Sequence, residues 1–172
     1  MKPNPNSETL AQMLRVDHAG EYGANRIYEG QLMVLKNSKI APVLEHMLAQ
    51  EQAHLKKFNE LLAANQVRPS VLMPLWHLAG LALGIGSALL GEKAAMAATV
   101  AVEEAIDEHY QSQEDIIENQ GLKAIVQKFR LEELEHRDTG LKHNAEAIFG
   151  YKFFNRLIKT GAQLSIFLAK RF

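Results

Sequence analysis

Six residues of this 172-residue chain form two sets related by a constant shift of 82 positions: Glu21, Glu51 and His54, then Glu103, Glu133 and His136. In each set a lone glutamate precedes a Glu-x-x-His pair by 30 positions. Residues i and i+3 share one face of an α-helix, so each pair can aim a carboxylate and an imidazole at one point. A fold that uses the whole pattern must bring four helices together, two giving a single glutamate and two giving the pair. Of seven histidines, only His54 and His136 have a glutamate three residues before them. The same shift relates Tyr28 to Tyr110, Gln31 to Gln113, Val43 and Leu44 to Ile125 and Val126, and Met47 to Phe129. Alone, a Glu-x-x-His is usually a solvated helix face; doubled, with its upstream glutamates, it specifies a two-metal cage.

The rest of the chain is consistent with helices. Apolar residues recur at helical spacing, and no stretch alternates with period two between turn signals. The expected class is all-α: a ferritin-like four-helix bundle with an internal two-fold repeat, a long apolar crossover helix and an extra C-terminal helix. Bundle helices are expected over 8–36, 42–64, 92–119 and 122–148, with the crossover over 71–91 and the last helix over 151–172. A flexible tail, 1–7, precedes a single domain, 8–172. The first two bundle helices should pair as the last two do.

Composition removes several function classes. A net charge of −1 gives no electrostatic footprint for nucleic acid, and with no cysteine there is no thiolate zinc site, iron–sulfur cluster or disulfide. Any redox metal must be held by nitrogen and oxygen. Residues 1–7 are polar and do not read as a signal or transit peptide, so a cytosol-facing protein is expected.

Residues 71–91 contain no Asp, Glu, Lys or Arg. By length and hydropathy the segment qualifies as a membrane span, but spanning would put the two half-sites on opposite sides of a bilayer. It is therefore read as the crossover. Gly80, Gly84, Gly86 and Gly91 permit close helix contact, while Met73, Pro74 and Trp76 suit a water–lipid boundary. Segment 151–172 combines Phe153, Phe154, Leu157, Ile158, Ile166, Phe167 and Leu168 with Lys152, Arg156, Lys159, Lys170 and Arg171. That is the make-up of a helix lying on an anionic membrane; a dimer interface is the alternative.

Four carboxylates with two imidazoles suit iron or manganese better than zinc, and two divalent ions balance the four negative charges. Adjacent glutamates are separated by the repeat: Glu103, not Glu104, aligns with Glu21, and Glu133, not Glu132, aligns with Glu51. Symmetry makes Glu51 and Glu133 the bridges, with Glu21 and His54 completing one ion and Glu103 and His136 the other. Tyr28 and Tyr110 lie two turns beyond Glu21 and Glu103; they orient ligands, relay electrons, or are core tyrosines with satisfied hydroxyls. His109 is a further polar candidate, with a surface role as its alternative. His18, His46, His77 and His143 are read as structural.

Residues 15–26 (Arg-Val-Asp-His-Ala-Gly-Glu-Tyr-Gly-Ala-Asn-Arg), 54–58, 72–76, 100–104 with His109-Tyr110, and 132–136 (Glu-Glu-Leu-Glu-His) closely resemble the demethoxyubiquinone hydroxylase family of ubiquinone biosynthesis. The resemblance runs from Arg15 to the C-terminus and looks like that of a bacterial-type member. It implies a di-iron monooxygenase that uses two Fe2+ ions and O2 to hydroxylate the ring of a polyprenyl demethoxyubiquinol. It places the family's ligands on Glu21, Glu51, His54, Glu103, Glu133 and His136, and its proposed redox relay on His109 and Tyr110. It further implies peripheral attachment to the cytoplasmic face of the inner membrane, with electrons from the quinol, NADH or a reductase. A homo-oligomer or a quinone-biosynthesis complex is a possible assembly. The alternatives are a ferritin- or rubrerythrin-like oxidase handling iron or peroxide, and a non-enzymatic membrane-bound helical scaffold.

Overall fold

The computed structural model describes residues 5–172, of which six segments are α-helical and none is a strand: α1 (Pro5–Leu35), α2 (Ala41–Ala64), α3 (Met73–Leu89), α4 (Glu92–Glu114), α5 (Gln120–Lys142) and α6 (Tyr151–Ala169). Of the expected tail 1–7, residues 1–4 lie outside the described residues, and α1 begins at Pro5. Helices α1, α2, α4 and α5 make the bundle. α1 packs along α2 and α4 along α5, and the halves meet where α1 touches α4 and α2 touches α5. The all-α, ferritin-like reading is the observed architecture.

Two helices end earlier than their apolar pattern suggests. The helix expected over 92–119 stops at Glu114, because Asn119 is used to start the next one: its side chain accepts a hydrogen bond from Leu122 N at 2.9 Å as the N-cap of α5. The helix expected over 122–148 stops at Lys142. Asn144 takes a left-handed conformation (φ 61°), and a 3-10 turn, Ala145–Ala147, buries Ala145 against the bundle before Gly150 (φ 72°) opens α6.

The crossover α3 has 17 residues, so it covers about 26 Å and returns the chain along the bundle. No helix among the described residues is long and apolar enough to cross a membrane. α3 lies against α1 at a distance only glycine allows. A Cβ on Gly80 would come within 2.8 Å of Gly23 O, one on Gly30 within 2.8 Å of Leu81 O, and one on Gly84 would collide with Ile27 O. Gly86, by contrast, faces open space. Trp76, expected at a lipid boundary, is 6 % exposed and packs with Val16, Ala19 and Ala169. The indole is turned inward because the small residues of α1 and α6 leave room for it there.

Candidate di-metal centre

The bundle brings all six repeat residues to one place. Glu21 comes from α1, Glu51 and His54 from α2, Glu103 from α4, and Glu133 and His136 from α5, each at most 1 % exposed. Their ligand atoms form two groups, Glu21, Glu51, His54, Glu133 and Glu51, Glu103, Glu133, His136, within each of which all atoms lie within 4.8 Å of one another. Glu51 and Glu133 belong to both.

Both imidazoles turn Nδ1 inward. His54 Nδ1 lies 3.3 Å from Glu21 Oε2 and 3.1 Å from Glu133 Oε1. His136 Nδ1 lies 3.1 Å from Glu133 Oε2, 3.2 Å from Glu51 Oε1 and 3.9 Å from Glu103 Oε1. Their Nε2 atoms point outward, His54 to Glu132 Oε2 at 2.8 Å and His136 to Gln50 Oε1 at 2.9 Å. Glu132 therefore has a contact that the i, i+3 rule did not reveal: it acts across the bundle on the other half's histidine. Glu104 turns away, half-buried, with Lys159 Nζ of α6 at 3.4 Å.

The two tyrosines cross between halves. Tyr28 donates to Glu103 Oε1 at 2.7 Å, and Tyr110 donates to Glu21 Oε1. Burial and the surrounding carboxylates push both phenols up from their ordinary pKa, which keeps them protonated and able to donate. His109 pairs away from the six, its Nε2 3.1 Å from Asp17 Oδ1, to which Gln113 Nε2 also donates at 2.6 Å. Sequence reasoning missed Asp17, since its counterpart at the repeat offset is Thr99 and the pairing leaves no symmetric trace.

The residues fit a pair of divalent cations. Glu51 Oε2 and Glu103 Oε2 are buried without a hydrogen-bond partner, and Glu21 Oε2 and Glu51 Oε1 face only an imidazole Nδ1 that lies nearer Glu133, a costly arrangement that coordination would relieve. Burial and neighbouring carboxylates push Glu51 and Glu103 well above the usual carboxylate range, and burial raises Glu21. Burial acts on Glu133 in the same sense, but hydrogen bonds from His136 and His54 override it and hold that carboxyl at about 2. Burial disfavours the His54 imidazolium, yet Glu133 and Glu21 lift it to about 12. The cluster is thus a set of negative charges that recruits protons to its carboxyls and imidazoles, and metal ions would displace those protons.

A model of the family described as "Ubiquinone biosynthesis protein COQ7" matches residues 8–169, nearly the whole chain. The chain belongs to that family. Among COQ7-family relatives, the rat protein named NADPH-dependent 3-demethoxyubiquinone 3-hydroxylase, mitochondrial (Rattus norvegicus), is 53 % identical over 98 % of this chain and 81 % of its own length. The 3-demethoxyubiquinol 3-hydroxylase of Rhodospirillum rubrum, a bacterial relative, is 51 % identical over the same shares. The 5-demethoxyubiquinone hydroxylase, mitochondrial, of Saccharomyces cerevisiae is 39 % identical over 94 % of this chain and 78 % of its own.

Proposed function

We propose that this chain is a di-iron monooxygenase that hydroxylates the ring of a polyprenyl demethoxyubiquinol with O2. The observation that carries this reading is the doubled, buried Glu/His cluster, two of whose glutamates have chain neighbours lining an uncharged cavity. The cavity, ≈ 430 Å³, lies between α1, α3, α4 and α6. Its lining includes Gly20 and Ala24, which flank Glu21, and Val102 and Ile106, which flank Glu103. No charged side chain lines it, and its polar side-chain groups are Ser165 and the Trp76 indole, whose Nε1 is buried without a partner. Such a pocket admits an aromatic head with an isoprenoid tail and excludes water from the reacting ring.

Glu21, Glu51, His54, Glu103, Glu133 and His136 would hold the iron pair, with Glu51 and Glu133 shared. Bound iron supplies the electrons and the open positions needed to reduce O2. The chain's own residues do the rest. Tyr28 and Tyr110 hold Glu103 and Glu21 in place, and the apolar walls aim the ring at the centre and keep water out. The sequence left the electron donor open among the quinol, NADH and a separate reductase; the name NADPH-dependent, carried by the rat relative, favours a pyridine nucleotide. The decisive experiment is anaerobic iron loading, then incubation of a demethoxyquinone with NADPH or NADH and oxygen. A product heavier by one oxygen atom, carrying label from 18O2, is expected. Two bound ions with no such product would refute the reading.

A membrane surface is the place where this substrate resides, and the exterior of α3 and α6 suits it. Leu75 and Leu78 on α3 and Phe153, Leu157, Leu164 and Phe167 on α6 are about half or more exposed, on two of the four helices that border the cavity. Exposed Lys152, Arg156, Lys170 and Arg171 accompany them on α6 and its end. This arrangement favours peripheral attachment to the inner-membrane face holding the quinone, with the cavity fed from lipid. Replacing Leu78 and Leu164 together by aspartate should lower co-sedimentation with anionic vesicles at least about tenfold, since each leucine withdrawn from lipid is worth about 1.5 kcal/mol or more. Metal content should not change, and unchanged sedimentation would rule this surface out.

A further inference from the structure

The shift of 82 that relates the ligands also relates the groups behind them, and there the two halves differ in chemistry. Gln50 corresponds to Glu132. Each reaches across the bundle: Glu132 Oε2 lies 2.8 Å from His54 Nε2, and Gln50 Oε1 lies 2.9 Å from His136 Nε2. The geometry is matched; the charge is not. Once Nδ1 is given to a cation the imidazole's proton stays on Nε2, so His54 would donate to a carboxylate and His136 to a neutral amide. A carboxylate behind a ligating imidazole increases the electron density its other nitrogen offers a cation, and an amide does so far less. A second difference falls on the same side. Phe129 stacks on the His54 ring with centroids 3.9 Å apart, whereas the offset position holds Met47. Lys128, 3.3 Å from Glu132, moderates its charge only weakly, because the lysine is mostly in solvent.

We infer that the two metal positions are unequal, the ion ligated by His54 being held more tightly than the ion ligated by His136, with Glu132 and Gln50 as the positioning residues that set the difference. The inference rests on the di-metal reading above and adds an order of filling and release that the symmetric ligand set does not provide. The centre loads first on the Glu21/His54 side. It loses an ion first from the Glu103/His136 side.

The test is calorimetric titration of metal-free protein with Co(II), followed by the cobalt absorption bands and repeated anaerobically with Fe(II). Two steps are expected, separated by about ten- to a hundredfold in affinity, the usual effect of such an outer partner. Glu132→Gln should weaken the tighter step and leave the weaker one, and Gln50→Glu should strengthen the weaker step and leave the tighter one. Each variant brings the two constants together. Both substitutions are near-isosteric at half-buried positions, and melting of the metal-free variants by circular dichroism reports folding separately from metal binding. Two equal steps in the unaltered protein overturn the inference while leaving the di-metal centre standing. Unequal steps that neither substitution moves, or substitutions that move the opposite step, also overturn it. Failure to bind two ions at all sinks the di-metal reading itself.

Discussion

Replacing Glu103 by alanine is expected to strip one ion from the centre and end hydroxylation, while replacing its neighbour Glu104 leaves both nearly intact. Glu103 is 1 % exposed, belongs to one of the two ligand groups and accepts the Tyr28 hydroxyl at 2.7 Å. Its loss removes a ligand and leaves the phenol of Tyr28 without an acceptor. Ligation of this kind contributes several kcal/mol to the transition state, so the rate should fall about a thousandfold or more. Stability should move differently. Metal-free Glu103→Ala sheds a buried carboxyl that burial holds well above its usual range, so it should melt no lower than the metal-free parent by much, but its gain in melting temperature on adding Fe(II) should shrink markedly. Glu104 loses only a partly exposed contact at 3.4 Å with Lys159, worth about 1 kcal/mol or less. Elemental analysis and turnover of the two variants decide the matter, and equal losses in both would overturn the assignment.

The second large effect is expected at Gly84. A Cβ there would occupy the space of Ile27 O and come within 2.9 Å of Ile27 C and 3.1 Å of Gln31 N, all backbone atoms of α1 that no rotamer change can move. Helices α1 and α3 must separate to admit it. Overpacking of this kind costs about 1–3 kcal/mol, and more when backbone must shift, against a helix-propensity gain of about 1 kcal/mol for alanine over glycine. Gly84→Val, which adds branching without alanine's propensity, should lower the melting temperature by about 5–10 °C, since each kcal/mol corresponds to about 2–4 °C at this size. It should also distort the cavity, whose walls on that side are α1 and α3. Gly86→Ala is the control: its Cβ meets open space, so propensity alone should act and stability should hold or rise slightly. Differential scanning calorimetry of the pair tests the seam, and equal melting temperatures would contradict it.

Much of the cage was legible because it is written as a repeat. The choice of Glu103 over Glu104 followed from the offset alone, and the structure buries the first while turning the second to Lys159. The crossover was legible by exclusion, since a span would have divided the cluster. What the sequence did not disclose are contacts without periodicity. Asp17 meets His109 and Gln113 across 92 and 96 positions of chain; it lies in the family-like stretch 15–26, but no spacing marks whom it pairs with. Trp76 has the composition of a boundary residue, and only the small side chains facing it from α1 and α6 reveal that it turns inward. The early ends of α4 and α5 depend on which helix claims Asn119 and on the left-handed turn at Asn144, and hydrophobic periodicity is blind to both.

The crossed phenols tie the two halves of the cluster together. Tyr110 steadies a ligand belonging to the opposite half, and Tyr28 returns the arrangement. Loss of either phenol should therefore loosen a carboxylate of the other half, so the duplicated units are braced against each other even where their outer residues, Gln50 and Glu132, differ.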